Sequence, residues 1–168
     1  ITVESASEES LAKLKFEGFF AEPVSENSSW LMISCINFQD FNDQDWPKLK
    51  PIKNQIVYLD LTGTQITDLL LDSLQTLPNL TVLKLNQTAI SGTKLETLNS
   101  NQNLKHLYIN KTQIDTDGIK VLNNHSSLEK VYAFETPISE AEIQENFSFY
   151  LEIGKYKLPA LPTDTIVY

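Results

Sequence analysis

Four stretches decide the reading of this chain: IVYLDLTGTQIT at 56–67, LTVLKLNQTAIS at 80–91, LKHLYINKTQID at 104–115 and LEKVYAFETPIS at 128–139. They align without a gap at a spacing of 24 residues and share the pattern LxxLxLxxTxI followed by a small polar residue. A fixed period between about 20 and 50 residues marks a stack of similar units, none of which can bury its apolar face alone.

Positions four and six of each unit are Leu59 and Leu61, Leu83 and Leu85, Leu107 and Ile109, Val131 and Ala133. They alternate with other side chains at period two, as a short strand with one buried face does. Position nine is threonine every time: Thr64, Thr88, Thr112 and Thr136. A hydroxyl can donate to a backbone carbonyl and accept from a backbone N–H, so these four receive a structural role in the turn after the strand. Position eleven is Ile66, Ile90, Ile114 and Ile138, and position twelve is Thr67, Ser91, Asp115 and Ser139, all good helix N-caps. Ser139 with Glu142 would complete a capping box. Apolar pairs at helical spacing follow: Leu71 and Leu74, Leu95 and Leu98, Ile119 and Leu122, Ile143 and Phe147. Each unit therefore predicts strand, turn and short helix. The fold expected is an α/β solenoid with parallel strands on a concave face, short helices on a convex face and atypical caps.

Working outward gives one domain over 1–168. Residues 1–29 read as an N-terminal cap, with a helix in SEESLAKLKFEG opened by Ser7 and closed by Gly18, then an edge strand in FFAEPV. Residues 30–55 read as a degenerate repeat, in which WLMISCINF has strand composition and Trp46, Leu49 and Ile52 echo the helix spacing. Four repeats fill 56–151, with FYLEIG as a last half-repeat strand. Residues 152–168 form an extended tail containing Pro159 and Pro162.

The repeat is that of leucine-rich-repeat proteins, with threonine where the commoner pattern has Asn or Cys. Taken with its flanks, TQITD at 64–68, NQIVYLDL at 54–61, LPNLTVLKLNQTAI at 77–90 and LPTDT at 161–165, the chain resembles the C-terminal repeat region of bacterial membrane proteins with a planctomycete-type cytochrome c domain. That resemblance implies one domain of a larger protein, periplasmic or otherwise extracytoplasmic. The haem site of that family needs CxxCH, which this sequence lacks, so no haem and no other cofactor is expected.

Composition narrows the function classes. Hydrophobic residues make up 41% and charged residues 21%, ordinary globular usage. The formal charge is -9, which repels phosphate backbones, so nucleic acid is not an expected partner. The acidity sits at the ends: residues 1–30 hold six carboxylates against two lysines, whereas 56–127 hold six against five. No apolar run approaches the ~20 residues of a membrane span. Ile1 is followed by no charged or apolar leader region, so an export signal would lie outside these residues. The single cysteine, Cys35, permits no internal disulfide and reads as a packing residue.

Catalytic and metal-ligating sets are not expected. The only histidines, His106 and His125, read as surface residues, and DTDG at 115–118 lacks the later ligands of a calcium loop, leaving Asp115 as a cap. Several N-x-S/T triplets occur, including those at Asn79, Asn86 and Asn110, and the last two follow from the repeat itself. The candidate binding surface is the outward side of the strands: Tyr58, Asp60, Lys84, His106, Tyr108, Lys130, Tyr132 and Phe134. Either a partner or the C-terminal tail, with Leu158, Leu161 and Ile166, covers its aromatic end. The expected function is a non-catalytic protein-binding or scaffold module, engaging another protein or another domain of the same chain. The alternative is a carbohydrate-binding module that stacks sugar rings on the tyrosines, which would make a polysaccharide the partner.

Overall fold

The computed structural model describes residues 3–139 and 147–154. Among them seven strands form one sheet in chain order: β1 (Phe20–Pro23), β2 (Leu31–Ser34), β3 (Ile56–Asp60), β4 (Val82–Lys84), β5 (His106–Tyr108), β6 (Lys130–Tyr132) and β7 (Tyr150–Glu152). β1 and β2 are antiparallel; every later pair is parallel. The 24-residue period appears directly in the register, since Tyr58 pairs with Val82, Val82 with His106 and His106 with Lys130. The ends depart from it. Met32 pairs with Tyr58 after a register shift at Leu31, and Lys130 pairs with Tyr150, only 20 residues on. The expected boundary at 151/152 therefore cuts through β7.

One face of the sheet is dry. Leu59, Leu61, Leu83, Leu85, Leu107, Ile109, Val131 and Ala133 are buried, together with the isoleucine column Ile66, Ile90, Ile114 and Ile138. The core continues to the first unit through Phe19, Phe38 and Phe41, whose rings meet edge-on at 5.2 to 5.8 Å, the arrangement favoured by the aromatic quadrupole. Helix α1 (Glu8–Phe16) lies before β1; the Ser7 hydroxyl accepts from the Ser10 N–H, and Gly18 takes φ +98° just past its end.

The turn after each strand has a fixed chemistry. Position eight is left-handed in all four units, at Gly63, Gln87, Lys111 and Glu135, with φ between 54° and 72°. Only the first is glycine, so the other three hold a backbone conformation that is uncommon for residues with a Cβ. The next residue closes the turn: Thr64, Thr88, Thr112 and Thr136 each donate a hydroxyl hydrogen to the carbonyl three residues back, at 2.7 to 2.9 Å. The first three threonines are buried and Thr136 is half-buried. Position seven adds a ladder between units. Asn86 Oδ1 accepts from the Asn110 N–H, Asn110 Oδ1 accepts from the Phe134 N–H, and Asn86 Nδ2 donates to Thr62 Oγ1.

The return segments are shorter than the expected helices. They alternate single α turns, α2 (Leu71–Leu74) and α3 (Thr116–Lys120), with 3-10 turns at 68–70, 95–100 and 121–124. Thr67 and Asp115 cap as their side chains allow. Ser91 does not: its N–H and hydroxyl both donate to Asp68 Oδ2 of the preceding unit, and the 3-10 turn starts later, at Leu95, without a side-chain cap. Asp43 holds Thr67 in a similar way, so carboxylates tie the first three units together, whereas the Ser139 N–H donates to the Thr116 hydroxyl. The expected capping box of Ser139 and Glu142, and the helical pair Ile143 with Phe147, depend on residues outside those described.

His125 also departs from the expectation, being buried at 3% exposure. It occupies the column of Leu77 and Asn101, which faces the preceding unit. Asn101 Nδ2 donates to the Leu74 and Leu77 carbonyls, whereas His125 Nδ1 accepts from the Ser127 and Leu128 N–H groups. Burial holds its pKa below the ordinary value, against the opposing pull of the Leu98 carbonyl.

Candidate functional site

With position four pointing into the core, positions three and five of every strand stand on the opposite, open face of the sheet. Tyr58, Asp60, Lys84, His106, Tyr108, Lys130 and Tyr132 are all half-buried there, and strand pairing brings position five into a row: Ser34, Asp60, Lys84, Tyr108, Tyr132 and Glu152.

Neighbours in that row touch. Lys84 Nζ lies 3.8 Å from Asp60 and 5.2 Å from the ring centres of both Tyr58 and Tyr108. Tyr108 and Tyr132 stack at 4.3 Å with their planes 8° apart. Lys130 Nζ sits 4.5 Å over the Tyr132 ring and 4.9 Å over that of Tyr150, whose hydroxyl donates to Glu152. Each cation is thus held against aromatic faces, an attraction that strengthens as water is excluded.

Two members of the row, Lys84 and Tyr108, have shifted pKa values. Burial works against charge on Lys84, but the Tyr58 hydroxyl, Asp60 and Tyr108 outweigh it and hold the ammonium above its usual pKa. Burial first, then the adjacent Tyr132, pushes Tyr108 upward. At neutral pH Lys84 is therefore charged and Tyr108 neutral.

Phe134 is placed differently from the two tyrosines with which the sequence groups it. It lies in the turn after β6, half-buried over Gly154, where an added side chain would run into its ring. His106 stands between Val82 and Lys130, with a buried Nδ1 that has no hydrogen-bond partner among the described residues.

The strand pattern also places residues that the column analysis missed. Trp30 and Met32 flank the buried Leu31, and with Val24, Val57, Tyr58, Thr81 and Val82 they line a shallow concavity of about 370 Å³. The alternation in WLMIS carries that signal, but the unit's irregular spacing hides it from a search for columns.

Cys35 is fully buried, and desolvation, followed by the charges of Asp60 and Asp45, pushes its thiol up to about 12, far from a nucleophilic thiolate. Among the described residues no group of three or more His, Cys, Asp or Glu could hold a metal ion, and no helix is long and apolar enough to cross a membrane.

No protein-family model matches the sequence, and no curated protein matches it. Two solved structures from Listeria monocytogenes are similar. One is an internalin (inlF), at 22% identity over 55% of this chain and 26% of that one, and the other an internalin C2 (inlC2), at 26% identity over 62% and 54%; both superpose with a TM-score of 0.47. The chain thus spans about a quarter and about half of those proteins. The cytochrome-associated resemblance has no counterpart among these matches. It is the repeat, its strand register and its turn chemistry that make this an α/β fold of the leucine-rich-repeat kind.

Proposed function

We propose that the open sheet face is a protein-binding surface and that the chain serves as a non-catalytic recognition or scaffold module of an extracytoplasmic bacterial protein. The observation that carries this reading is the row from Asp60 to Tyr132, where aromatic rings and lysines are already held in place by one another. Tyr-rich, preordered patches of this kind bind partners with little side-chain entropy left to lose. The compartment follows only from the sequence resemblance.

The same geometry favours a protein over a sugar. A carbohydrate platform needs a free ring face, but Tyr108 has Tyr132 on its β6 side and Lys84 on its β4 side. Ring edges and hydroxyls remain for contact. A photoreactive benzoylphenylalanine at position 108 should give discrete protein adducts in the native cell, and the same group at Leu69, 64% exposed on the return segment, should not. Equal labelling from both positions, or reproducible binding of the unmodified chain to one polysaccharide on a glycan array, would overturn the reading.

A further inference from the structure

The groove at the N-terminal end of the open face borders the aromatic row, sharing Tyr58 with it, and differs from it in chemistry. We infer that it is the docking site for a cationic, apolar peptide segment of a protein partner, one that presents a large apolar side chain flanked by Lys or Arg.

Its lining is Val24, Trp30, Met32, Val57, Tyr58 and Val82, with Thr81 at the margin. Tyr58 also holds Lys84, but none of the other side chains is needed to fill the interior, because Leu31, Ile33, Ile56 and Leu59 already fill it beneath them. Val24 is 48% exposed, and Trp30, Met32, Val57, Tyr58 and Val82 are half-buried. Trp, Tyr and Met are the residue types over-represented where interfaces concentrate their energy. A concavity of about 370 Å³ this open suits one projecting side chain rather than an enclosed small molecule.

Charge selects the flanks of that side chain. Every lysine between 56 and 127 is in an ion pair: Lys84 with Asp60, Lys94 with Asp72, Lys105 with Glu129, Lys111 with Glu135 and Lys120 with Asp117. The chain as a whole carries a net charge of -9, and its first 30 residues hold six carboxylates and two lysines. Glu26 stands exposed in the loop whose two ends, Val24 and Trp30, are joined by a backbone hydrogen bond and line the groove. A cationic segment is steered toward such a field, and an acidic one is repelled.

The proposal rests on the sheet face being protein-binding and adds the chemistry of one ligand. The probe is a labelled Gly/Ser peptide carrying one phenylalanine flanked by two lysines on each side, titrated into the full chain by fluorescence anisotropy. Its counterpart replaces every lysine with glutamate. The expected result is saturable binding of the lysine peptide, about tenfold or more tighter than the glutamate peptide, with a blue shift from Trp30. Met32→Lys and Val82→Lys, at two different half-buried positions, should each weaken it about tenfold, Glu26→Gln by a smaller factor, and Leu69→Ser not at all.

Equal binding of the two peptides, or indifference to both lysine variants, overturns the proposal. So does a self-associating chain that Met32→Lys renders monomeric, which makes a second copy the occupant. A tenfold gain in peptide affinity on changing Leu158 and Leu161 to Ser makes the chain's own tail the occupant and has the same consequence. Failure of crosslinking from position 108 with peptide binding intact counts against the aromatic row alone.

Discussion

Along β3 to β6, inward and outward side chains alternate on the same few residues, yet only the inward ones repeat. Leu59, Leu83, Leu107 and Val131 are all aliphatic and are all fully buried. Their outward neighbours Asp60, Lys84, Tyr108 and Tyr132 share neither charge nor shape, but each contacts the next across the sheet. Stacked units present a similar cavity to each inward residue, so packing density keeps the column aliphatic. The outward row is constrained only pairwise, which leaves it free to carry recognition.

The largest effect expected from probing this contrast lies where the repeat is least regular. Phe41 is fully buried and makes edge-on contacts with Phe19 and Phe38. Phe41→Ala should cost about 3–5 kcal/mol in equilibrium urea unfolding. A cost below about 1 kcal/mol would show that the N-terminal unit is not part of the same cooperative core.

Next in size is the threonine column. Thr112→Val keeps the shape but strips the Ile109 carbonyl of its hydroxyl donor and should cost about 1–3 kcal/mol. The same change at the half-buried Thr136 should cost less, because water can take over at the Ala133 carbonyl. Equal costs would remove the distinction between interior and end turns.

His125 sharpens the contrast through pH. Its folded-state pKa lies below the ordinary 6.5, so on acidification the unfolded chain takes up a proton before the folded one does. Stability should be full above about 6.5, fall as pH drops below that value, and level off beneath the folded pKa. His125→Asn, which copies Asn101 one unit earlier, should abolish that slope. An unchanged slope would assign it to carboxylates instead.

The smallest effect is expected at the exposed Lys94 and Asp72 pair: Lys94→Met should change stability by no more than about 0.5 kcal/mol.

How much of this could be read from residues alone depended on repetition. The strands, the isoleucine column and the closing threonines recur in every unit, and counting finds them. Features that occur once were hidden. The column holding His125 runs Leu77, Asn101, His125, a mixture of apolar and polar types with no signature of burial. Ser91 sits in a cap column but meets Asp68, a contact between units that no local pattern encodes. The groove around Trp30 and Met32 belongs to a unit whose register slips between Leu31 and Met32, so the period that exposes the other outward residues does not extend to it.

The contrast between columns is tested most directly on two adjacent residues, by urea unfolding of Leu107→Ala and Tyr108→Ala beside the parent chain. Leu107 is fully buried, and its truncation should cost about 2–5 kcal/mol. Tyr108 loses one stacked ring and one cation, so its truncation should cost only about 1 kcal/mol. Equal losses, or a larger loss at Tyr108, would contradict the account, because the row assigned to recognition would then be part of what holds the fold together.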